Sequence, residues 1–347
     1  MEKNLKSKPS ATSFLAKIEF MAKQGLISDK FKEILKQFFQ SYEATLKADG
    51  ISISSYESLF ITFLERLEAL ARSPYTFQPY NERIRTPFDY YQFGIDLIKP
   101  LIDMQHSSVH GETNLSSIIQ HLSQKHNVIL LANHQTEADP QAINILLEDT
   151  QPKLAEEMIF VAGERVVTDP LTIPFGMGLN LLCIYSKRYI DHPPELKMKK
   201  QLHNKRTMEL MSKLLSEGGK CIYVAPSGGR DRPSKQGIVE VAPFDPQSLE
   251  MFHLMAQKSG HPTFFFPLAL KTFHLLPPPQ TIQVELGEAR VTKRGAIHLA
   301  FGPEIDMKNF PGSSEKDKHA RRKLRAEYIW KLVADDYAKL GVIKNGT

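Results

Sequence analysis

Apolar and polar positions follow two different periods along this chain. Up to residue 75 the apolar positions recur every three or four residues, as they do on one face of a helix. This pattern predicts one helix over 12–24 and a second over 30–46. Residues 54–57 (SSYE) form a capping-box pattern before a third apolar helix, which Pro74 stops. The first part of the chain is therefore predicted to be a bundle of three or four helices.

Beyond residue 125, short apolar runs alternate with helical patterns. Seven runs are typical of buried strands: 128–132, 158–162, 181–185, 221–224, 263–270, 282–286 and 297–301. Helices are predicted over 195–217, 246–258 and 315–339. Strands and helices that alternate in this way favour a mainly parallel sheet with helices on both faces.

The predicted fold class is thus α/β, with an N-terminal helical bundle followed by a larger mixed, mainly parallel sheet flanked by helices. Residues 74–87 are rich in proline and aromatic residues and are predicted to cross between the two parts. Thr86 and Pro87 are predicted to start a further helix that runs to Ile98. We place a helical domain at residues 1–78 and an α/β domain at residues 79–347. The helical domain carries no chemical motif, so we expect it to act as a packing or lid module.

The most informative stretch, NHQTEADP, follows the first predicted strand at residues 133–140. Asp139 and Pro140 suit the N-cap and the first position of the helix that follows. His134 leaves the carboxyl end of a strand, where open α/β sheets bind ligands. A turn can bring this imidazole onto the Asp139 carboxylate, which is an arrangement used in general-base catalysis. On spacing alone, a capping aspartate beside an unrelated histidine is the commoner use of the pattern.

Two basic stretches follow two later strands. Lys187 and Arg188 come just after one of them, and Arg230 and Arg232 lie in the sequence APSGGRDRP after another. If the strands are parallel, all four cations meet His134 at one edge of the sheet. Charge-assisted hydrogen bonds from such groups to phosphate contribute roughly 1.5–3 kcal/mol each. The alternative for the two arginines is an exposed Arg–Asp loop.

The composition narrows the class of protein. Apolar residues at 41% and charged residues at 24% are ordinary for a soluble globular chain. No apolar run approaches the roughly 18 residues of a membrane span, and the N-terminus resembles neither a secretory nor a transit peptide. Cys183 and Cys221 lie in strand-like runs, which favours buried thiols over a disulfide. We expect a soluble intracellular protein, in the bacterial cytosol or, for a processed plant chain, in the plastid stroma.

Missing motifs exclude several activities. The chain has no P-loop spacing, no dinucleotide fingerprint and no Gly-x-Ser-x-Gly elbow. The cysteines and histidines show no metal-ligand spacing, so we expect neither a metal nor a cofactor. The net charge of +5 is concentrated, since residues 187–206 hold seven basic and two acidic residues and residues 315–331 hold seven and three. Such clusters favour an anionic partner.

The quoted motifs resemble those of one family. NHQTEADP is similar to the acyltransferase signature of the soluble, plastid-type glycerol-3-phosphate 1-O-acyltransferases. APSGGRDRP resembles the loop that binds glycerol phosphate in that family, and CIYSKRY (183–189) resembles its other phosphate-contacting segment. SPYTFQPY, TPFDYY and APFDP also match, so the similarity spans roughly residues 70–335. Plant members have a histidine where this chain has Tyr189, which leaves any role of Tyr189 open.

The resemblance implies an activity and the residues that perform it. An acyl group would pass from an acyl thioester, acyl-ACP or acyl-CoA, to the sn-1 hydroxyl of glycerol 3-phosphate, in the first step of phospholipid biosynthesis. His134 would be the general base and Asp139 would orient it. The substrate phosphate would be held by four cations: Lys187, Arg188, Arg230 and Arg232.

The resemblance also suggests partners. An acyl carrier protein is strongly acidic, so the basic segments 197–206 and 316–325 are candidate docking surfaces. The C-terminal helix carries apolar residues that could make a transient contact with a membrane surface. Packing of those residues against the sheet is the commoner use.

Two rival functions stay open on the sequence. The nearer one is an acyltransferase for lysophosphatidate or another hydroxyl acceptor, against which the SGGRDRP loop and the lack of a membrane span argue. The farther one is a basic nucleic-acid-binding protein. Such a protein would need aromatic residues among its cations, and segment 197–206 has none.

Overall fold

The structure is a computed structural model that describes residues 11–186, 190–278 and 290–341. The first six helices are α1 (Ala11–Lys23), α2 (Asp29–Ala48), α3 (Glu57–Arg72), α4 (Tyr90–Ile98), α5 (Glu112–Ser123) and α6 (Asp139–Leu147). The next six are α7 (Pro152–Glu157), α8 (Glu164–Thr168), α9 (Ile173–Met177), α10 (Lys197–Glu217), α11 (Pro246–Lys258) and α12 (Lys318–Lys339).

The strands fall into one large sheet and one small one. The first five strands are β1 (Tyr80–Asn81), β2 (Ser108–His110), β3 (Asn127–Ala132), β4 (Ile159–Gly163) and β5 (Asn180–Ile184). The others are β6 (Cys221–Val224), β7 (Arg232–Pro233), β8 (Val239–Glu240), β9 (Thr263–Lys271) and β10 (His298–Phe301). The predicted strand 282–286 lies outside the described residues.

Strand β3 lies inside an eight-stranded sheet of order β1-β5-β4-β6-β3-β9-β10-β2. It runs parallel to β6 and β9, and β4 runs parallel to β5 and β6. The pairs β1–β5 and β9–β10 are antiparallel, so the sheet is mixed and mainly parallel, which confirms the predicted fold class. All six residues of β3 are buried, as expected of a strand covered on both faces.

The three N-terminal helices pack through aromatic rings. Phe14 stacks on Phe39 with ring centroids 4.3 Å apart, and Phe60 meets Phe39 edge-on at 5.1 Å. The same core continues into α4, where the buried Tyr42 hydroxyl donates to the carbonyl of Leu97 at 2.8 Å. The helical part and the α/β part thus share a hydrophobic core, and the domain boundary at residue 78 stays a prediction.

The C-terminal helix uses its apolar face for packing. Ile329 and Val333 are fully buried, and Trp330 Nε1 donates to the carbonyl of Val241 at 3.0 Å. This confirms the expectation that these apolar residues pack inside the protein. Within residues 11–186, 190–278 and 290–341, no helix combines the length and apolarity that crossing a membrane requires.

Two sequence expectations about local structure have clear outcomes. Cys183 and Cys221 are buried and free, and burial raises the pKa of each thiol to about 12. The helix predicted to begin at residue 86 begins instead at Tyr90. It starts there because the Asp89 side chain caps it by accepting from the backbone N–H of Gln92 at 2.9 Å.

We predict that Gly111→Ala destabilises the protein strongly. Gly111 has φ +80°, and a Cβ at this position would lie 2.0 Å from the carbonyl oxygen of Phe301. The left-handed backbone and the forced shift together should lower the free energy of unfolding by roughly 2–4 kcal/mol. Urea unfolding would measure this change. The matched control is Gly50→Ala, which has φ +71° but open space, and equal losses in both variants would contradict the steric argument.

Candidate active site

His134 and Asp139 meet at the carboxyl end of β3. The turn that follows the strand brings Nδ1 of His134 to 2.8 Å from Oδ2 of Asp139. With the proton placed on Nδ1, this contact leaves Nε2 as the nitrogen that can accept a proton. The His134 side chain is 24% exposed and that of Asp139 only 1%. A ligand can therefore reach the imidazole, while the carboxylate that orients it stays buried.

Four donors surround the Asp139 carboxylate. Besides His134, Oδ2 accepts from the backbone N–H of Gln135 at 2.8 Å. Oδ1 accepts from the backbone N–H of Thr136 at 3.2 Å and from the Thr272 hydroxyl at 2.6 Å. These bonds satisfy a carboxylate that burial would otherwise penalise heavily.

The prediction that Asp139 is the N-cap of α6 is wrong by one residue. The cap position belongs to Ala138, and Asp139 is the first residue of the helix. The reason is that its carboxylate bonds back to the turn that carries His134 instead of forward to the helix N–H groups. The residue therefore shapes the turn more than it caps the helix.

The end of β9 holds this turn from the other side. Oε1 of Gln135 accepts from the backbone N–H groups of Thr272 at 2.7 Å and Phe273 at 3.0 Å. Asn133 exchanges two hydrogen bonds with the backbone of Leu270, at 2.7 and 3.0 Å. The amide residues of NHQTEADP thus extend the pairing of β3 with β9 beyond the last strand residue.

Asp231 joins the arginine loop to the His134 turn. Its backbone N–H donates to the carbonyl of His134 at 2.6 Å. Its fully buried carboxylate accepts from the side chains of Asn133 at 2.8 Å and Gln135 at 3.2 Å, and from the N–H of Ala242 at 2.9 Å. Burial raises the pKa of Asp231 to about 6, and these hydrogen bonds oppose the rise. Burial of Asp231 therefore contradicts a purely exposed Arg–Asp loop.

Two of the four predicted cations lie at this edge of the sheet. Arg230 Nη1 is 3.3 Å from Oε1 of Glu137, and both side chains are about nine-tenths buried. Arg232 is half-buried in β7, opposite Glu240 of β8. The segment with Lys187 and Arg188 lies outside the described residues, although it follows β5, which ends at this same edge.

The sequence analysis missed Arg290. This residue is 6% exposed, and its Nε and Nη2 contact the two oxygens of Glu137 at 2.9 and 3.0 Å. Nη2 also lies 3.0 Å from Oδ2 of Asp169. No motif or periodic pattern in the sequence marks position 290, because the partners of Arg290 are more than 100 residues away in the chain.

Among the residues that the structure describes, no group of three or more His, Cys, Asp and Glu side chains is placed to hold a metal ion.

We predict a distinctive pH dependence of stability for Asp231→Asn. The folded pKa of Asp231 lies above the ordinary value of 3.8, so the folded state holds this proton more tightly than the unfolded state. Wild-type stability should therefore fall, relative to the variant, as the pH rises from about 4 to about 6, by up to roughly 3 kcal/mol. Chemical denaturation of both proteins across this range would measure the difference. A constant difference would show that the folded pKa is not raised.

The chain is similar to known acyltransferases. The acyltransferase family matches residues 106–277, a range that contains His134, Asp139, Arg230 and Arg232. A crystal structure of the 1-acyl-sn-glycerophosphate acyltransferase from Thermotoga maritima aligns over 95% of both chains with a TM-score of 0.42 and 16% identity. A likeness of that strength supports no conclusion about the substrate.

Sequence relatives are much closer. A chloroplastic glycerol-3-phosphate acyltransferase of Cucurbita moschata is 38% identical over 320 residues, which cover 90% of this chain and 70% of that protein. The chloroplastic glycerol-3-phosphate acyltransferase of Arabidopsis thaliana is 34% identical over 332 residues, which cover 94% and 72%. This chain therefore belongs to the family of plastid-type glycerol-3-phosphate acyltransferases.

Proposed function

We propose that His134 is the general base with which this enzyme transfers an acyl group to the sn-1 hydroxyl of glycerol 3-phosphate. Family membership supplies the reaction class, which is acyl transfer from an acyl thioester to glycerol 3-phosphate. The observation that supports the assignment of the base is the 2.8 Å contact between His134 and the buried Asp139. It orients an imidazole that a substrate can reach.

The proposed chemistry is a direct transfer. Nε2 of His134 takes the proton of the sn-1 hydroxyl while the oxygen attacks the thioester carbonyl. Asp139 stabilises the imidazolium through Nδ1, as the acid of a catalytic triad does. The imidazolium then protonates the departing thiolate, and the products are a free thiol and 1-acyl-glycerol 3-phosphate. A thioester is already activated, so the scheme requires no acyl-enzyme, metal or cofactor.

The phosphate of the acceptor is proposed to bind four basic residues: Lys187, Arg188, Arg230 and Arg232. The hydrogen bond from Asp231 to the carbonyl of His134 supports this, because it holds the arginine loop against the catalytic turn. A rigid spacing between the phosphate site and the base would select one hydroxyl of the acceptor. The sn-1 preference would follow from that spacing.

The acyl donor is proposed to be acyl-ACP or acyl-CoA. The N-terminal part of α10 supports an acyl carrier protein as the donor. In it, Met198 is 80% exposed and Leu202 is 47% exposed, and several lysines lie beside them. A surface that is basic and partly apolar suits a small acidic protein. A transient membrane contact and a stromal or cytosolic location belong to the same proposal.

The first test is thiol release from an acyl-CoA by the purified enzyme. We expect release that depends on glycerol 3-phosphate and that His134→Ala lowers roughly 10²–10⁴-fold or more, because general-base assistance is lost. Circular dichroism would check that the variant folds. Release without any acceptor would indicate a thioesterase, and a folded His134→Ala with normal activity would refute the proposed base.

A second prediction concerns the phosphate. Arg230→Ser and Arg232→Ser should each raise the KM for glycerol 3-phosphate, by about tenfold or more, since a charge-assisted bond to phosphate is lost. Steady-state kinetics with each substrate varied in turn would measure the effect. A rise confined to the KM of the acyl donor would contradict the phosphate assignment.

A further inference from the structure

Glu137 lies between two arginines that hold it unequally. Arg230 reaches it with one contact, from Nη1 to Oε1 at 3.3 Å. Arg290 makes a two-pronged contact, from Nε to Oε2 at 2.9 Å and from Nη2 to Oε1 at 3.0 Å. Bidentate contacts of this kind are the stronger ones. Of these two arginines, Arg290 therefore fixes Glu137 more strongly.

Charge balance gives this asymmetry a consequence. Arg230 and Arg290 carry two positive charges, and Glu137 and Asp169 carry two negative charges that are almost completely buried. Loss of Arg290 would make the surroundings of Glu137 and Arg230 more negative by one charge. In a poorly solvated site, that charge would repel a phosphate dianion and would also hold the Arg230 guanidinium.

The position of Arg290 is itself fixed by two parts of the chain. Asp169, which also accepts from Arg290, is oriented by the backbone N–H of Leu171 at 3.0 Å. Two residues after Arg290, the buried Thr292 pairs with helix α2 of the N-terminal bundle. Its N–H donates to the Ser41 hydroxyl at 2.8 Å, and its carbonyl accepts from the Thr45 hydroxyl at 2.9 Å.

We infer that Arg290 is a positioning residue for the acceptor site: it neutralises and fixes Glu137, so that Arg230 keeps its charge for the phosphate. The inference rests on the proposed role of Arg230. Helix α2 contributes to the same site from a distance, because it anchors the segment that carries Arg290. The bundle thus takes part in binding the acceptor without contacting it.

The test is the kinetics of Arg290→Met, with glycerol 3-phosphate and an acyl-CoA varied separately. We expect the KM for glycerol 3-phosphate to rise about tenfold or more, because one buried charge is lost, and the KM for acyl-CoA to change by less than about twofold. Arg83→Met is the control. It removes another partly buried arginine, whose Nη2 is 3.4 Å from Oε2 of Glu156, and should leave the KM for glycerol 3-phosphate unchanged.

A double variant distinguishes an effect of the lost Arg290 charge from general damage to the fold. In Glu137→Gln/Arg290→Met the carboxylate that Arg290 neutralised is also gone, so the KM for glycerol 3-phosphate should fall by about threefold or more relative to Arg290→Met. General damage to the fold would not be relieved by a second substitution. A double variant no better than Arg290→Met would overturn the inference.

The remaining outcomes are equally decisive. Arg230→Ser in the same assay tests the phosphate assignment, and a normal KM there would overturn both that assignment and this inference. A raised KM in Arg230→Ser with a normal KM in folded Arg290→Met would overturn the inference alone. If Arg290→Met does not fold, Arg290→Gln decides, since it keeps a polar side chain but loses the charge. Its KM for glycerol 3-phosphate should rise about tenfold, and an unchanged KM would overturn the inference.

Discussion

The buried carboxylate of Asp139 is the group on which the geometry of the site depends. A charge that is 1% exposed must have its oxygens satisfied, and the donors come from the turn after β3 and from the end of β9. The backbone helps to meet this demand by wrapping the turn around the carboxylate. The ring of His134 is then held by Nδ1, and Nε2 is the atom left for chemistry.

Two further carboxylates extend this arrangement outward. Asp231 binds the amide side chains on either side of His134, and it brings the arginine loop with it. Glu137, in the same turn, contacts Arg230 and Arg290. The polar residues of the octapeptide therefore have two roles. Asp139 orients the His134 ring, and Glu137 fixes the two arginines. The apolar sheet beneath supplies a rigid edge from which all of these groups project.

The sequence was sufficient for features that depend on local pattern. The runs now seen as β3, β6 and β9 are mainly apolar because both faces are covered. One strand–turn–helix unit made the pair His134–Asp139 possible, and the family resemblance favoured it. The N-cap assignment of Asp139 failed because tertiary donors competed for its carboxylate. Thr272 and Arg290 could not be found at all. Their roles arise from contacts across 133 and 153 residues, which no period or motif encodes.

The N-terminal helices also make long-range contacts that the sequence does not predict. Their apolar periodicity predicts a bundle, but it does not indicate any contact with the segment that carries Arg290. In the folded chain, Ser41 and Thr45 of α2 bind the backbone of Thr292, and the aromatic core of the bundle continues into α4. Two polar helix residues thus fix a segment whose arginine balances Glu137. On the role proposed for Arg290, the bundle therefore contributes to the acceptor site, because it anchors the segment that carries one member of a buried ion pair.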